Sequence, residues 1–131
     1  LEVAKKQRAE NPVYYVQYAH ARICSILRSV TMQNKGDLDL SLLKEKEELD
    51  LIKKMLEFKA ILNICLVTCD PYMVTVYLQE LSESFHRFYD LHRVLGQGDA
   101  LTGARLALIK GVKIVLSCGL ELLGVSQPEK M

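Results

Sequence analysis

Apolar positions recur at steps of three and four residues near the start of the chain, which is the spacing of one face of an α-helix. This face is formed by Val13, Val16, His20, Ile23, Leu27 and Val30. Asn11 and Pro12 stand just before it, and they suit the N-cap and the first position of a helix. The pattern predicts a helix from Pro12 to about Met32, ended by the polar residues 33–37.

Similar apolar stripes predict helices along the rest of the chain. Residues 42–68 fit either one bent helix or two short ones. Asp70 and Pro71 predict the start of the next helix, which ends before Gly96. Asp99 is the predicted N-cap of the last long helix, and Gly124 is the predicted end of it.

Two glycines, Gly111 and Gly119, fall inside this last predicted helix. Each costs about 1 kcal/mol of helix stability relative to alanine, so we expect a neighbouring element to pack closely at both positions. No segment has the alternation and the residue types of a β-strand. The predicted fold is therefore all-α, a helical bundle of about five helices.

The composition is that of one folded globular domain. Of the 131 residues, 50% are hydrophobic and 25% are charged, and this length allows a single hydrophobic core. No apolar run reaches the roughly 20 residues that span a bilayer, and the first residues do not resemble a signal peptide. We expect a cytoplasmic protein without a membrane partner. Because the chain begins at Leu1 and not at Met, we also expect it to be a piece of a longer protein.

The net charge does not by itself indicate a polyanionic partner. Seventeen Lys and Arg oppose sixteen Asp and Glu, which gives a formal charge of +1. Residues 1–35 carry only two acidic side chains, Glu2 and Glu10, against the basic side chains of Lys5, Lys6, Arg8, Arg22, Arg28 and Lys35. A nucleic acid would therefore have to be bound by a local basic patch.

The cysteines and histidines do not form a recognisable catalytic motif. Cys24, Cys65, Cys69 and Cys118 lie in apolar stretches and are predicted to be free, buried thiols. Cys65 and Cys69 are spaced to share a helix face, so a metal site there is the alternative, although no histidine has matching spacing. We expect His20 to be a hydrogen-bonded core residue, and we expect His86 and His92 to lie at the surface. This chain itself is predicted to be non-catalytic.

Three tyrosines of the first helix, Tyr14, Tyr15 and Tyr18, cannot all enter one core stripe, because a turn takes 3.6 residues. At least one is therefore expected at the surface. Tyr15 and Ala19 lie four residues apart, so the small alanine could leave a hollow for an unstacked base, with Arg22 near its phosphate. The tyrosines could equally brace neighbouring helices, and periodicity does not separate the two interpretations.

The stretch NPVYYVQYAHARICS, residues 11–25, closely resembles the helix that opens the C-terminal anticodon-binding (DALR-type) domain of bacterial-type arginyl-tRNA synthetases. Five further motifs resemble the same family in the same order: FYD at 88–90, VLG at 94–96, ARLAL at 104–108, LLGV at 122–125 and PEKM at 128–131. The resemblance spans residues 11–131. It implies an all-α anticodon-binding bundle, with residues 1–10 as the lead-in from an upstream catalytic domain.

The resemblance implies that this chain is one part of a larger enzyme. The family's class I catalytic domain activates arginine with ATP and esterifies it to tRNA, and its signatures H-x-G-H and K-M-S-K-S do not occur here. The expected partners are the anticodon stem and loop of tRNA(Arg) and the synthetase's own catalytic domain. No cofactor is expected in this chain, since ATP would bind the catalytic domain, and a monomer is expected.

The resemblance also implies an anticodon-binding set made of Tyr15, Ala19, Tyr89 and Met131, with residues 128–131 closing the pocket. Arg22, Arg93 and Arg105 are candidate contacts to the tRNA backbone, and for Arg105 a packing role is favoured. Two other functions stay open at this point. One is a helical protein–protein interaction module that uses Tyr15, Tyr18 and the last helix, and the other is hydrolysis by a metal at Cys65 and Cys69.

Overall fold

The structure is a computed structural model that describes residues 11–30 and 38–131. Its described part contains five α-helices and one 3-10 turn: α1 (Pro12–Ser29), the turn Leu40–Leu42, α2 (Lys46–Leu56), α3 (Phe58–Thr68), α4 (Tyr72–Leu91) and α5 (Asp99–Leu122). The predicted all-α fold is confirmed. The lead-in assigned to residues 1–10 lies outside the described residues, as does Met32. Helix α1 nevertheless ends before its predicted end near Met32, because Ser29 is its last residue and Val30 is extended.

The predicted start of α1 is confirmed, whereas α4 begins one residue later than predicted, with Pro71 and not Asp70 as its N-cap. The Asn11 side-chain oxygen accepts hydrogen bonds from the backbone N–H groups of Val13 and Tyr14, at 3.0 and 3.4 Å. The Asp70 carboxylate accepts one from the Tyr72 N–H at 2.9 Å. These side chains satisfy amides that have no partner within the helix.

The last helix begins one residue away from its predicted cap. Gly98, not Asp99, is the N-cap, with a φ of 82° that glycine adopts without steric strain. Asp99 is the first helical residue, where its negative charge is favourable at the positive end of the helix dipole. Gly124 ends the helix as predicted, with a φ of 68°, and the Val125 N–H donates to the Leu120 carbonyl at 2.9 Å.

The region predicted as one bent helix or two short ones contains two short helices, α2 and α3, which begin only at Lys46. Glu57 lies between them as the C-cap of α2 and the N-cap of α3. A capping box begins α2, in which the Glu48 carboxylate accepts from the Glu45 N–H at 3.0 Å. The other Glu48 oxygen binds Arg105 Nε at 2.6 Å, and Arg105 also donates to the Arg93 carbonyl at 2.8 Å. This buried ion pair joins α2, α5 and the segment that follows α4.

Helix α4 is the centre of the bundle and contacts each of the other four α-helices, while α1 and α5 also pack on each other. Its large, fully buried side chains are Tyr77, Leu78, Leu81, Phe85 and Phe88. The close packing predicted at both glycines of α5 is confirmed. A Cβ built on Gly119 would lie 2.5 Å from the Leu78 side chain, and one on Gly111 would lie 3.3 Å from the Met55 sulfur.

Helix α3 lies on the outside of the bundle and has no fully buried residue, although it is rich in apolar side chains. Leu66 and Val67 are 77% and 85% exposed. The prediction of four buried thiols is wrong, because Cys69 and Cys118 are exposed and Cys65 is half-buried. Only Cys24 is buried. None of the helices in the described ranges combines the length and the hydropathy that crossing a membrane requires.

Candidate nucleic-acid interface

Two neighbouring cavities open along the exposed side of α1. The first, which we call the tail pocket, has a volume of about 260 Å³ and is lined by Tyr18, Ala21, Arg22, Ser25, Arg28 and residues 129–131. The second, the interhelix pocket, has a volume of about 540 Å³ and lies between α1 and the end of α4. Its lining is Ser25, Ile26, Ser29, Tyr89, Asp90 and residues 92–95. Ser25 lines both pockets, so they adjoin.

A cation–π contact between two side chains lies at the boundary of the two pockets. The Arg22 guanidinium lies 4.3 Å from the centroid of the Tyr89 ring, within the range of an energetically favourable cation–π pair. Arg22 faces the tail pocket and Tyr89 faces the interhelix pocket. One cation and one aromatic ring therefore hold each other in place at the boundary.

Residues 129–131 line one side of the tail pocket, and they belong to the segment that follows α5, residues 126–131, which we call the tail. Gln17 Nε2 donates to the Ser126 carbonyl at 2.9 Å, and Arg28 Nη2 donates to the Glu129 carbonyl at 2.8 Å. Between them, His20 Nδ1 lies 3.0 Å from the Pro128 carbonyl oxygen. These contacts along α1 place Met131 at the rim of the tail pocket.

Aromatic side chains packed around His86 lie next to this face of α1. The His86 ring lies 5.3 Å from Tyr15 and 5.8 Å from Tyr18 between centroids. Among the described residues, its Nε2 is buried without a hydrogen-bond partner. Burial lowers the pKa of His86, the nearby Arg22 lowers it further, and Asp90 opposes them. The prediction that His86 is a surface group is therefore wrong.

Tyr15, the first of the predicted site residues, is half-buried against His86 and does not line either of these two pockets. Burial raises its pKa, and the charges of Glu83 and Asp90 raise it further. Tyr18 is the tyrosine at the surface, 40% exposed, which confirms that at least one had to be. It precedes Ala21, Arg22 and Ser25 by three, four and seven residues, a helix-face pattern that could have identified it from sequence.

The hollow predicted at Ala19 is wrong, because this residue has no exposed surface and lies in the core. The small residue at the tail pocket is Ala21, two positions further on. Met131 lies beside it, 52% exposed. The structure thus brings Met131 together with Tyr18 and Ala21, not with Tyr15 and Ala19.

Tyr89 and Arg93 lie in the same cavity, the interhelix pocket. Arg105 does not reach either pocket, since its side chain is 7% exposed and is paired with Glu48. The packing role favoured for Arg105 fits this geometry, and a contact to tRNA phosphate does not. His92 is half-buried, with Nε2 2.8 Å from the Glu47 carboxylate, so it is held by α2 and is not a free surface group.

Cys65 and Cys69, the alternative metal site, lie in α3 and at its C-terminal end. No group of three or more His, Cys, Asp or Glu side chains within residues 11–30 and 38–131 is placed to hold a metal ion. Cys69 is exposed, and its sulfur lies 3.8 Å from the Leu66 carbonyl oxygen. The described geometry therefore adds nothing in favour of the metal-hydrolysis alternative.

The interface mixes both signs of charge. Arg22, Arg28 and Lys130 line the tail pocket together with Glu129, and Arg93 and Asp90 both line the interhelix pocket. A polyanion would therefore meet a few placed cations and not a continuous basic surface. Binding at such a face depends on what fills the pockets more than on charge alone.

Comparison with known proteins gives consistent results. The family model described as the DALR anticodon binding domain matches residues 16–131. An arginine–tRNA ligase of Caldanaerobacter subterraneus is 49% identical over 136 aligned positions, and one of Geobacter metallireducens is 48% identical. Each alignment covers all of this chain and 24% of the relative, so the chain spans about a quarter of the length of these curated relatives.

The fold is shared with a solved structure as well. The arginyl-tRNA synthetase of Thermus thermophilus superposes with a TM-score of 0.81 at 33% identity, over 89% of this chain and 21% of that one. The helical architecture, this structural similarity and the family match over residues 16–131 agree with one another. The chain belongs to the DALR anticodon-binding domain family.

Proposed function

We propose that this chain is the anticodon-binding part of an arginine–tRNA ligase and that it holds the anticodon stem and loop of tRNA(Arg). The relatives that cover the whole chain bear that enzyme's name. The observation that carries the proposal is the pair of adjoining pockets divided by Arg22 and Tyr89, one of them lined by the end of the tail.

In this proposal each pocket takes one unstacked base of the anticodon loop. Tyr18, Ala21 and Met131 contact the base in the tail pocket, and Tyr15 supports Tyr18 through the His86 ring. Tyr89 stacks on a base in the interhelix pocket, whose volume falls in the usual range of ligand sites. Base stacking on an aromatic side chain contributes roughly 1–3 kcal/mol per base.

In the proposal, polar side chains at the two pockets orient the bound bases. Arg22 and Arg93 are placed to bind phosphates beside the two bases, and the Asp90 carboxylate can accept a hydrogen bond from a base N–H. Because the pockets share Ser25, the two bases they hold are close neighbours in the loop. Discrimination between loop sequences then comes from the pockets, while the arginines contribute sequence-independent affinity.

The chemistry belongs to the rest of the enzyme. In the proposed protein, ATP and arginine bind a class I catalytic domain, and residues 1–10 connect that domain to this bundle. The anticodon-binding part holds the tRNA so that its acceptor end reaches the catalytic domain. The protein acts as a monomer in the cytoplasm, and this chain needs no cofactor of its own.

The test is a fluorescence titration of the chain with tRNA(Arg) and with the same tRNA carrying a changed anticodon loop, at two salt concentrations. A preference for the native loop that persists in higher salt is expected, because base contacts do not depend on counterion release as phosphate contacts do. Equal and salt-sensitive binding of both tRNAs would contradict the proposal. That result would instead favour the helical protein-interaction module.

A further inference from the structure

The tail lies along α1 although it contains no helix or strand of its own. Gln17 and Arg28 bind it at the surface, where water competes for their hydrogen bonds. The ion pair between Arg28 and Glu129 spans 3.5 Å with both side chains well exposed, so it holds the tail weakly. The contact that is protected from water is the one made by His20, which is 2% exposed.

Both ring nitrogens of His20 have partners. Nδ1 lies 3.0 Å from the Pro128 carbonyl oxygen, and since a carbonyl only accepts, Nδ1 carries the proton and donates. Nε2 lies 3.0 Å from the Ser117 hydroxyl of α5, which donates to it when the ring is neutral. The hydroxyl thereby favours the tautomer and ring orientation in which Nδ1 faces the tail.

We propose that His20, oriented by Ser117, is a positioning residue for anticodon-loop recognition: it holds the Pro128 carbonyl and so sets where Met131 lies at the tail pocket. The inference rests on the proposed function, and it adds a residue that does not itself touch the bound base. Met131 follows Pro128 by three residues, so it stays within about 10 Å of the anchored carbonyl.

The physical benefit is preorganisation. A free tail would lose backbone and side-chain freedom each time a loop base bound, and that loss would weaken binding. A tail already held by a buried hydrogen bond has lost this freedom during folding. Met131 then meets the base without a further ordering cost.

The experiment compares three variants that change the anchor in steps, in this chain with its helix content checked by circular dichroism. His20→Leu removes the donor at similar side-chain volume. His20→Asn keeps an N–H donor close to the position of Nδ1. Ser117→Ala leaves His20 in place but removes the hydroxyl that orients it.

The matched control is Ser82→Ala. Its hydroxyl is also buried, but it donates to the Leu78 carbonyl within α4. If deleting any buried hydroxyl group were enough to reduce the order of the tail or the loop preference, the same reduction would appear in this variant. Ser82→Ala should leave both the order parameters of the tail and the preference for the native loop unchanged.

Two readouts are measured, the first without tRNA. Backbone ¹⁵N order parameters of Glu129, Lys130 and Met131 report whether the tail is held. They are expected to fall below about 0.6 in His20→Leu and to stay at about 0.8 in His20→Asn. In the titration with native and changed loops, the loop preference should fall about three- to tenfold in His20→Leu, less in Ser117→Ala, and recover in His20→Asn.

Unchanged order parameters in a folded His20→Leu variant would overturn the inference. If that variant does not fold, Ser117→Ala decides, and a tail that stays as rigid there as in the Ser82→Ala control overturns the inference. A third result is possible: the tail order parameters fall in His20→Leu as expected, but the unmodified chain shows no loop preference. His20 would then hold the tail, and its proposed role in anticodon-loop recognition would be overturned. That last result would refute the proposed function, so the two failures are distinguishable.

Discussion

At the scale of single residues, His86 is a half-buried titratable side chain of the proposed interface, and its Nε2 atom is buried. Burial lowers its pKa below the ordinary value of 6.5, so at mildly acidic pH the unfolded chain binds a proton that the folded chain does not. The contribution of neutral His86 to the free energy of unfolding should therefore be fully present above about pH 6.5, and it should be lost as the pH drops below that value. Arg22 adds to the effect and Asp90 opposes it.

The measurement is urea unfolding of the unmodified chain and of His86→Phe between about pH 7.5 and pH 5.5, a range that brackets the ordinary histidine pKa. We expect the difference in unfolding free energy between the two to shift in favour of the phenylalanine variant as the pH falls. A constant difference across this range would show that His86 binds its proton equally well in both states.

Tyr89 is the residue whose ring the proposed interhelix pocket depends on. Tyr89→Leu should weaken binding of the native loop by roughly 1–3 kcal/mol, because a stacking partner is removed. Tyr89→Phe keeps the ring and should bind nearly as well as the unmodified chain. Titration with tRNA(Arg) measures both, and equal affinities of the leucine and phenylalanine variants would exclude stacking by this ring.

At the scale of the helices, the two glycines of α5 predict opposite responses to the same substitution. Alanine at 119 would place its Cβ 2.5 Å from the side chain of Leu78, which is fully buried. Gly119→Ala should therefore destabilise the fold by about 1–3 kcal/mol. Alanine at 111 would meet only the flexible Met55 thioether at 3.3 Å.

Gly111→Ala should be close to neutral, because a gain in helix propensity of about 1 kcal/mol offsets the small displacement of Met55. Unfolding midpoints in urea for the two variants give the comparison. If both variants were destabilised equally, the close approach of α4 to α5 would not be the reason for glycine at 119.

The ion pair between Glu48 and Arg105 joins helices that are far apart in the sequence. Glu48→Gln would leave the Arg105 charge buried without its partner, which should destabilise the fold by about 3–5 kcal/mol. Glu80→Gln is the matched control, since Glu80 pairs with Lys54 at the surface and its replacement should cost less than about 1 kcal/mol. Urea unfolding of both variants should therefore show very different changes in stability.

At the scale of the whole molecule, the near-zero net charge implies that the bundle is not a general polyanion binder. Binding should depend on the few cations of the interface, Arg22, Arg28, Arg93 and Lys130. Arg93→Gln should make the dependence of log affinity on log salt shallower by about 0.7–0.9, because one phosphate of the tRNA is no longer neutralised. The loop preference should stay the same, and a weaker preference would show that Arg93 contacts a base.

The fold was largely predictable from the chain. The capping residues Asn11 and Asp70, the terminal Gly124 and the apolar stripes are local signals, and local hydrogen bonds decide where helices begin and end. The N-cap of α5 was missed by one residue, because Asp99 and Gly98 both satisfy the rules for a helix start. The motifs of residues 11–131 also identified the family.

The positions of the candidate site residues were predictable only in part. Tyr89, Arg22, Arg93 and Met131 lie at the two pockets, whereas Tyr15 is half-buried away from both, and Ala19 and Arg105 are buried. Periodicity gives the direction in which a helical side chain points, but not how wide a face its neighbours cover. Helix α1 is covered by α4, α5 and the tail together, so more than one stripe of it is buried.

The sequence by itself determined the helices, their caps and the family, because these depend on neighbours within a few residues or on whole motifs. Only the tertiary structure decided that Tyr18 and Ala21 form the pocket, that His86 is enclosed by rings, and that His20 holds the tail. Each of those depends on contacts between segments far apart in the chain, such as the hydrogen bond from His20 to Pro128. Local sequence rules carry no information about such distances, since only packing of the whole bundle creates them.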